Sequence, residues 1–156
     1  MTFWEDTLPD PRKSWKEMSD FTLIATAIWG EARGCDFWAK VAVGWVIRNR
    51  AKHPSWWGVG WRDVILKPAQ FSCFNTTDPN RHKLKEPLKH DSLKAWQECC
   101  AACITVYIGA YDDLTNGADH YHSGTKRPGW AKGHEPVATV GPFTFYRLSL
   151  PEPGVV

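Results

Sequence analysis

The sequence predicts a single α+β domain that is mainly helical and carries a small β element. Three segments before residue 111 show apolar residues at helical spacing. Near the C-terminal end, two short β-like runs flank Gly141-Pro142, which is typical of a hairpin. The 156 residues suffice for one compact domain with its own core, and not comfortably for two.

The first helix is predicted to begin at Ser19 or Asp20, because either side chain can cap the segment FTLIATAIWGEAR. Gly34 is predicted to end it. One stripe of this helix holds four residues spaced three, four and three apart: Phe21, Ile24, Ile28 and Glu31. The polar, proline-containing residues 1–18 are predicted to form an N-terminal arm, and residues 19–156 a single domain.

A second helix is predicted over residues 37–52, and it is apolar on nearly every side, as buried helices are. After the loop SWWGVGW a short helix is expected in WRDVILK. Ser92 should cap an amphipathic helix that runs to about Ala110. Residues 111–136 are rich in turn-forming residues, with a short strand in ADHYH, and VATVGPFTFYRL is predicted to form the hairpin.

Charge and cysteine content exclude several classes of protein. Lysine and arginine number 19 against 17 acidic residues, a balance that argues against a nucleic-acid partner. The five cysteines are odd in number, and three of them cluster at Cys99, Cys100 and Cys103, so they predict no disulfide framework and suit a reduced compartment. The N-terminus has no apolar core of a signal peptide, and no apolar run approaches 18 residues.

Ten tryptophans are more than a core of this size is expected to bury. Those on predicted helices are expected mostly in the core: Trp29, Trp38, Trp45 and Trp96. Those in predicted loops are expected to stack on a ligand such as a sugar: Trp56, Trp57, Trp61 and Trp130.

Glu31 lies where a carboxylate is not expected. It shares the apolar stripe of its helix and sits in the last turn, where the helix dipole opposes negative charge. Both effects should raise its pKa, and a carboxyl group kept protonated near neutral pH can serve as a general acid for a glycosidic bond. A structural role, with the carboxylate paired to Arg33, Arg48 or Arg50, stays open at this point.

Five motifs in a fixed order surround and follow Glu31. They are Trp29-Gly30-Glu31-Ala32-Arg33-Gly34, Val46-Ile47-Arg48-Asn49-Arg50, Gln70-Phe71-Ser72, Asp113-Leu114-Thr115-Asn116-Gly117-Ala118 and His120-Tyr121-His122. Together they resemble the cell-wall hydrolase family that includes the spore-cortex-lytic enzymes and several phage endolysins, from about Phe21 to Arg147. The resemblance implies a lysozyme-like catalytic domain within residues 19–156, which cleaves the MurNAc–GlcNAc β-1,4 bond of peptidoglycan glycan strands.

By this resemblance Glu31 is the catalytic acid, and no cofactor or metal is implied. The residues expected to contact substrate are Gln70, Phe71, Ser72, Thr115, Asn116, Gly117, Ala118, His120, Tyr121, His122 and Tyr146. The hydroxyls of Tyr121 and Tyr146 could orient Glu31, and a structural role is an equal alternative for each of these residues. The chain departs from the family at residues 114–117, where Pro-Thr-Gly-Gly is usual, and at Asp119, where Thr is common, which bears on fine specificity.

Two reaction routes and three rival functions stay open. A hydrolytic muramidase needs a second carboxylate, for which the loop candidates are Asp36, Asp63, Asp78, Asp112, Asp113 and Asp119. None is marked by its context, which favours a lytic transglycosylase with a single acid. The rivals are a metal-dependent amidase using His120 and His122, a peptidase using Cys35 or Cys73, and a peptidoglycan-binding module without catalysis.

The sequence also predicts a biological setting. A wall-cutting enzyme without a secretion signal suits a phage endolysin, which is held in the host cytoplasm until a holin permeabilises the membrane. It would then act on peptidoglycan in the periplasm. A monomer is the expected state for a small enzyme with a cleft.

Overall fold

Helices occupy the first two thirds of the chain, and strands follow them. The computed structural model describes residues 2–68, 70–75, 78 and 81–150, without the side chains of Phe3 and Ser72. Within these residues the helices are α1 (Phe3–Thr7), α2 (Asp20–Ala32), α3 (Phe37–Lys52), α4 (Gly60–Leu66), α5 (Pro87–His90) and α6 (Leu93–Ile108). The strands are β1 (His120–Ser123), β2 (Ala138–Val140) and β3 (Phe143–Tyr146). The predicted α+β class is confirmed.

The ends of the long helices α2 and α6 illustrate how local side-chain chemistry bounds a helix. The Ser19 hydroxyl accepts the amide of the third residue after it at 3.2 Å, and the Ser92 hydroxyl does the same for α6 at 3.1 Å. Gly109, at φ +67°, ends α6 in the left-handed conformation. Helix α2 ends at Ala32 with Arg33 as C-cap, so Gly34 follows the helix end as predicted, but it does not adopt the left-handed conformation expected of a terminating glycine.

Helix α3 lies at the centre of the fold, packed against α2, α4, α6 and strands β1 and β2. Its buried residues fall on all sides of the helix, as its apolar sequence predicts. Gly44 allows α6 to approach closely, since a Cβ at that position would lie 2.7 Å from Cγ2 of Val106. Even Lys40 is buried here, and its ammonium group donates to Glu98 on α6 at 3.1 Å.

The three strands form an antiparallel sheet in the order β1-β3-β2. Strands β2 and β3 are joined by Gly141-Pro142, so the predicted hairpin is confirmed, and the strand predicted in ADHYH begins at His120. Phe143 and Phe145 pack on the small side chains of α3 in a second apolar cluster. The sheet therefore holds β1 against the C-terminal half of the central helix.

The segment predicted as an N-terminal arm packs on the helices. Trp15 and Met18 belong to the main apolar core, and the Trp96 indole on α6 donates to the backbone oxygen of Trp4 at 3.1 Å. The polar, proline-containing sequence of residues 1–18 predicts an arm, but buried side chains, Trp15 and Met18 among them, fasten this segment to the core. No helix in the described part of the chain is long and apolar enough to cross a membrane.

Candidate active site

A cavity of about 440 Å³ opens where the ends of α2 and α3 meet strand β1. Helix α2 contributes Glu31, and helix α3 contributes Arg50. Among the described residues, the lining consists of Glu31, Arg50, Trp56, Gln70, Phe71, His120, Tyr121 and Trp130. The fold thus brings together five of the motif residues predicted for catalysis or substrate contact, from three separate motifs, and two of the four loop tryptophans expected to stack on a sugar.

Glu31 is half-buried in the wall of this cavity, one residue before the end of α2. Burial is the main cause that raises its pKa from 4.5 to about 7. The hydroxyl of Tyr121 donates to the carboxyl group and lowers the pKa, whereas the negative charge of Asp78 raises it. Near neutral pH, Glu31 can therefore hold the proton that a general acid needs.

The two tyrosines expected to orient Glu31 have different roles. Tyr121 carries the hydrogen bond to Glu31 and lines the cavity. Tyr146 does not line it, because its hydroxyl hydrogen-bonds Nε2 of His122 at 2.9 Å while the two rings stack at 5.5 Å. Tyr146 and His122 therefore lie behind the cavity without lining it, and their predicted contact with substrate stays a prediction.

The three arginines that could have neutralised Glu31 have other partners. Arg33 pairs with Asp91 at 3.8 Å, and Arg48 donates to two backbone oxygens near the end of α6. Arg50 donates from Nε to the backbone oxygen of Asp119 at 2.7 Å. Among the described residues, Glu31 therefore receives a neutral hydroxyl and forms no ion pair, and burial leaves its pKa raised.

Arg50 is a site residue that the sequence reasoning missed. The residue is only 5% exposed. Its guanidinium donates to the Gln70 amide oxygen at 3.4 Å and lies 5.4 Å from the centre of the Trp56 ring and 5.9 Å from that of Phe71. It fixes the residues that form one wall and places a positive charge in it. The Asn49-Arg50 pair at the end of α3, part of the family resemblance, was the available signal.

Two exposed indoles flank the cavity. Trp56 is 46% exposed and Trp130 is 40% exposed. The ring of His120 lies between them, 6.0 Å from Trp56 and 5.3 Å from Trp130. Flat apolar rings with an N–H donor at the edge of a cleft suit the faces of sugar rings.

Other tryptophans depart from expectation. Trp57 is fully buried and donates from its indole to the backbone oxygen of Arg50 at 2.9 Å, and Trp61 lies on α4, stacked on Tyr107. Neither lines the cavity, so their predicted sugar stacking is not found there. Trp38 was expected in the core but is 46% exposed. The prediction is confirmed for the buried residues Trp29, Trp45 and Trp96.

The turn at residues 115–118 was expected to offer backbone groups to a glycan, and the structure gives it another role. The Asp113 carboxylate accepts the amides of Thr115 at 2.8 Å and Gly117 at 2.9 Å, and also the Asn49 side chain at 2.8 Å. Thr115 and Ala118 are fully buried. The turn fastens β1 to α3, and none of its four predicted contacts, Thr115, Asn116, Gly117 and Ala118, lines the cavity.

Asp119 is also structural. Its side chain is fully buried and accepts Nδ1–H of His120 at 2.7 Å and the amides of residues 148–150 at 2.8–2.9 Å. Burial alone would raise the pKa of Asp119, but these hydrogen bonds outweigh it, and the pKa falls below its usual value. Asp36 and Asp63 likewise accept backbone amides, so these three carboxylates are committed to holding the fold.

Of the remaining predicted contacts, Gln70 and Phe71 line the cavity, and the side chain of Ser72 lies outside the described residues. Asp78 acts on Glu31 through its charge without lining the cavity.

The described residues include no group of three histidines, cysteines or acids that could hold a metal. Burial raises the thiol pKa of Cys35 and Cys73, opposite to the shift that activates a nucleophile.

Comparisons with known proteins agree with this fold. The catalytic domain of the germination-specific lytic transglycosylase SleB from Bacillus anthracis superposes with a TM-score of 0.62 at 22% identity, covering 87% of this chain and 98% of that one. The SleB catalytic domain of Bacillus cereus gives the same TM-score and identity, with coverages of 90% and 96%. A search of the curated proteins found none that matches.

The sequence of residues 35–146 matches the family described as cell wall hydrolase. This match begins four residues after Glu31, so the role of Glu31 depends on the geometry of the cavity. The match contains Arg50, Gln70, His120 and Trp130, and it spans well over half of the chain. The chain belongs to the cell wall hydrolase family.

Proposed function

We propose that the protein cleaves the β-1,4 bond between MurNAc and GlcNAc in peptidoglycan as a lytic transglycosylase, with Glu31 as its acid. The observation that carries the proposal is that Glu31 is the one carboxylate among the described residues that line the cavity. One of the structurally similar proteins is named as a lytic transglycosylase, which supports this reaction over hydrolysis. At 22% identity, the similarity itself shows a shared fold and no more.

The reaction needs only one carboxyl group. Protonated Glu31 donates its proton to the glycosidic oxygen as the bond from that oxygen to the muramyl C1 breaks, which leaves positive charge on the muramyl ring. The Glu31 carboxylate then takes the proton of the C6 hydroxyl of the same sugar while O6 bonds to C1. This closes a 1,6-anhydro ring, returns the proton to Glu31 and consumes no water.

The rest of the cavity suits this substrate. Trp56 and Trp130 can stack on successive sugar rings on either side of His120. The amide of Gln70, anchored by Arg50, can hydrogen-bond hydroxyl or N-acetyl groups. Tyr121 keeps the Glu31 carboxyl oriented while it gives up its proton and takes one back.

A hydrolytic muramidase is the second candidate, and Asp78 is the observation that favours it. Its charge reaches Glu31, as that of a second carboxylate would. In known muramidases such a group activates water or attacks the sugar from a defined distance across the scissile bond. Asp78 does not line the cavity, which makes this route the weaker of the two.

Product analysis separates these routes. Purified sacculi are digested with the wild type, Glu31→Gln and Asp78→Asn, and the muropeptides are examined by mass spectrometry. We expect muramyl ends lighter by one water than reducing ends, no digestion by Glu31→Gln, and anhydro products from Asp78→Asn. Reducing ends on all muramyl products would establish a muramidase, and unchanged digestion by Glu31→Gln would exclude Glu31 as the acid. A binding module without catalysis would release no products.

We further propose that the enzyme is a monomeric phage endolysin, stored in the host cytoplasm and released by a holin to reach the periplasmic wall. Its support is that all five cysteines are free and four are buried, so folding needs no oxidising compartment. Expression in a Gram-negative host should leave the optical density of the culture steady until a membrane-permeabilising protein is co-induced. Lysis without that protein would contradict storage, and a dimeric mass in solution would contradict the monomer.

A further inference from the structure

A second cavity, of about 470 Å³, adjoins the catalytic one. The exposed indole of Trp56 lines both, so a single side chain separates them. The second cavity extends from this indole along the loop of residues 55–58 and the C-terminal half of α4, and Lys16 completes its wall. None of the functions assigned above uses this cavity.

Its wall carries more positive than negative charge. Lys16 and Lys67 contribute two cations and Arg62 a third, which pairs with Asp20 at 3.6 Å, and the wall itself holds the single carboxylate of Asp63. That carboxylate is occupied, because Oδ2 accepts the amide of Val59 at 3.1 Å. Lys16 and Lys67 are both exposed, so their ammonium groups are available to an anionic ligand.

The shape of the cavity is fixed by tight local packing. Gly58 adopts φ +108°, and a Cβ there would lie 2.5 Å from Cβ of Asp63. A bridge between Ser55 and Gly58 closes the loop, and the buried indole of Trp57 anchors it to α3 through the backbone oxygen of Arg50. The cavity therefore exists before any ligand arrives, which lowers the ordering cost of binding.

We propose that this second cavity binds the acidic peptide stem attached to the muramyl residue in the catalytic cavity. The inference rests on the proposed action on peptidoglycan. A stem branches from its sugar and carries free carboxylates, so it matches a cationic cavity that begins one indole away from the cleavage site. Trp56 then contacts both parts of one substrate, with the sugar on one side and the start of the peptide on the other.

The test compares two substrates and two double variants. One substrate is intact glycan strands bearing stems, and the other is the same strands with stems removed by an amidase. Lys16→Glu/Lys67→Glu reverses both exposed cations of the cavity. Lys52→Glu/Lys94→Glu makes the same change of net charge at exposed positions that line neither cavity. Circular dichroism and thermal melting check that both variants fold.

The cavity variant should lose about tenfold in kcat/KM on stem-bearing strands and keep its rate on stem-free strands. Tenfold corresponds to about 1.4 kcal/mol, which two exposed charge contacts can supply. The control variant should act like the wild type on both. An equal loss on both substrates, or no loss on either, would overturn the stem site while leaving the glycosidase intact.

Binding tests the same site without catalysis. Glu31→Gln is titrated with a free stem tetrapeptide by calorimetry, with and without the two lysine reversals. We expect weak binding that the reversals abolish and that rising salt weakens. If the wild type cleaves no strands but the peptide still binds, the proposed reaction is refuted and the stem site is not. If the peptide does not bind, the stem site is refuted.

Discussion

Replacing Glu31 with glutamine should abolish wall cleavage and, above neutral pH, stabilise the fold. Its carboxyl group ionises at about pH 7 in the folded protein and at 4.5 in the reference state. Each unit of pKa corresponds to about 1.4 kcal/mol, so burial of the ionised form costs about 3 kcal/mol. Between these two pH values the folded protein binds more protons than the unfolded one, and its free energy of unfolding therefore falls as pH rises.

Glutamine has no proton to lose, so the variant escapes this cost. The difference in unfolding free energy, Glu31→Gln minus wild type, should grow by about 3 kcal/mol between pH 4 and pH 8. Urea denaturation at both pH values measures it, with the exposed residue Glu135 changed to Gln as control. Sacculus digestion by Glu31→Gln should fall by at least about 100-fold at every pH. A stability difference that does not change with pH would refute the buried, protonated acid.

Three further predictions concern the surroundings of Glu31. Tyr121→Phe removes a hydrogen bond that lowers the Glu31 pKa, so the alkaline limb of the pH–rate profile should move to higher pH; an unmoved limb would deny the contact. Asp119→Asn should lower the free energy of unfolding at pH 7, measured by urea denaturation, by about 2–4 kcal/mol. The loss should be smaller below pH 3.8, because the wild-type carboxylate then becomes protonated and its ionised form no longer stabilises the fold. Gly44→Ala should cost about 1–3 kcal/mol in the same assay without changing the products, because its Cβ would crowd α6, and an unchanged midpoint would contradict that close packing.

Local patterns predicted the helices and the hairpin well because their determinants are local. Residues 37–52 contain the apolar run VAVGWVI between a capping carboxylate and His53-Pro54, and the helix has those bounds. The Gly141-Pro142 turn likewise lies between two runs of β-forming residues. Glu31 was recognisable because a carboxylate on an apolar stripe violates the pattern around it.

Contacts between distant residues were not predictable in this way. Trp56 and Trp57 are neighbours in one loop, yet one is 46% exposed and the other fully buried. The difference comes from backbone oxygens at the end of α3 that accept the Trp57 indole, and no local pattern records them. Arg50 was missed for a similar reason, because its neighbours in the cavity, Gln70 and Phe71, lie 20 residues further along the chain.

The pKa of each buried carboxyl group in this fold depends on the number of hydrogen-bond donors that contact it as well as on its burial. Asp119 is fully buried, yet His120 and three backbone amides keep it ionised. Glu31 is less buried and receives the Tyr121 hydroxyl, so desolvation outweighs hydrogen bonding and its pKa rises. A buried carboxyl group can therefore serve as a catalytic acid only where it has few hydrogen-bond donors, so that its pKa stays raised. It follows that supplying Glu31 with a cation, for instance by Gln70→Lys in the same cavity, should lower its pKa and move the alkaline limb of the pH–rate profile to lower pH.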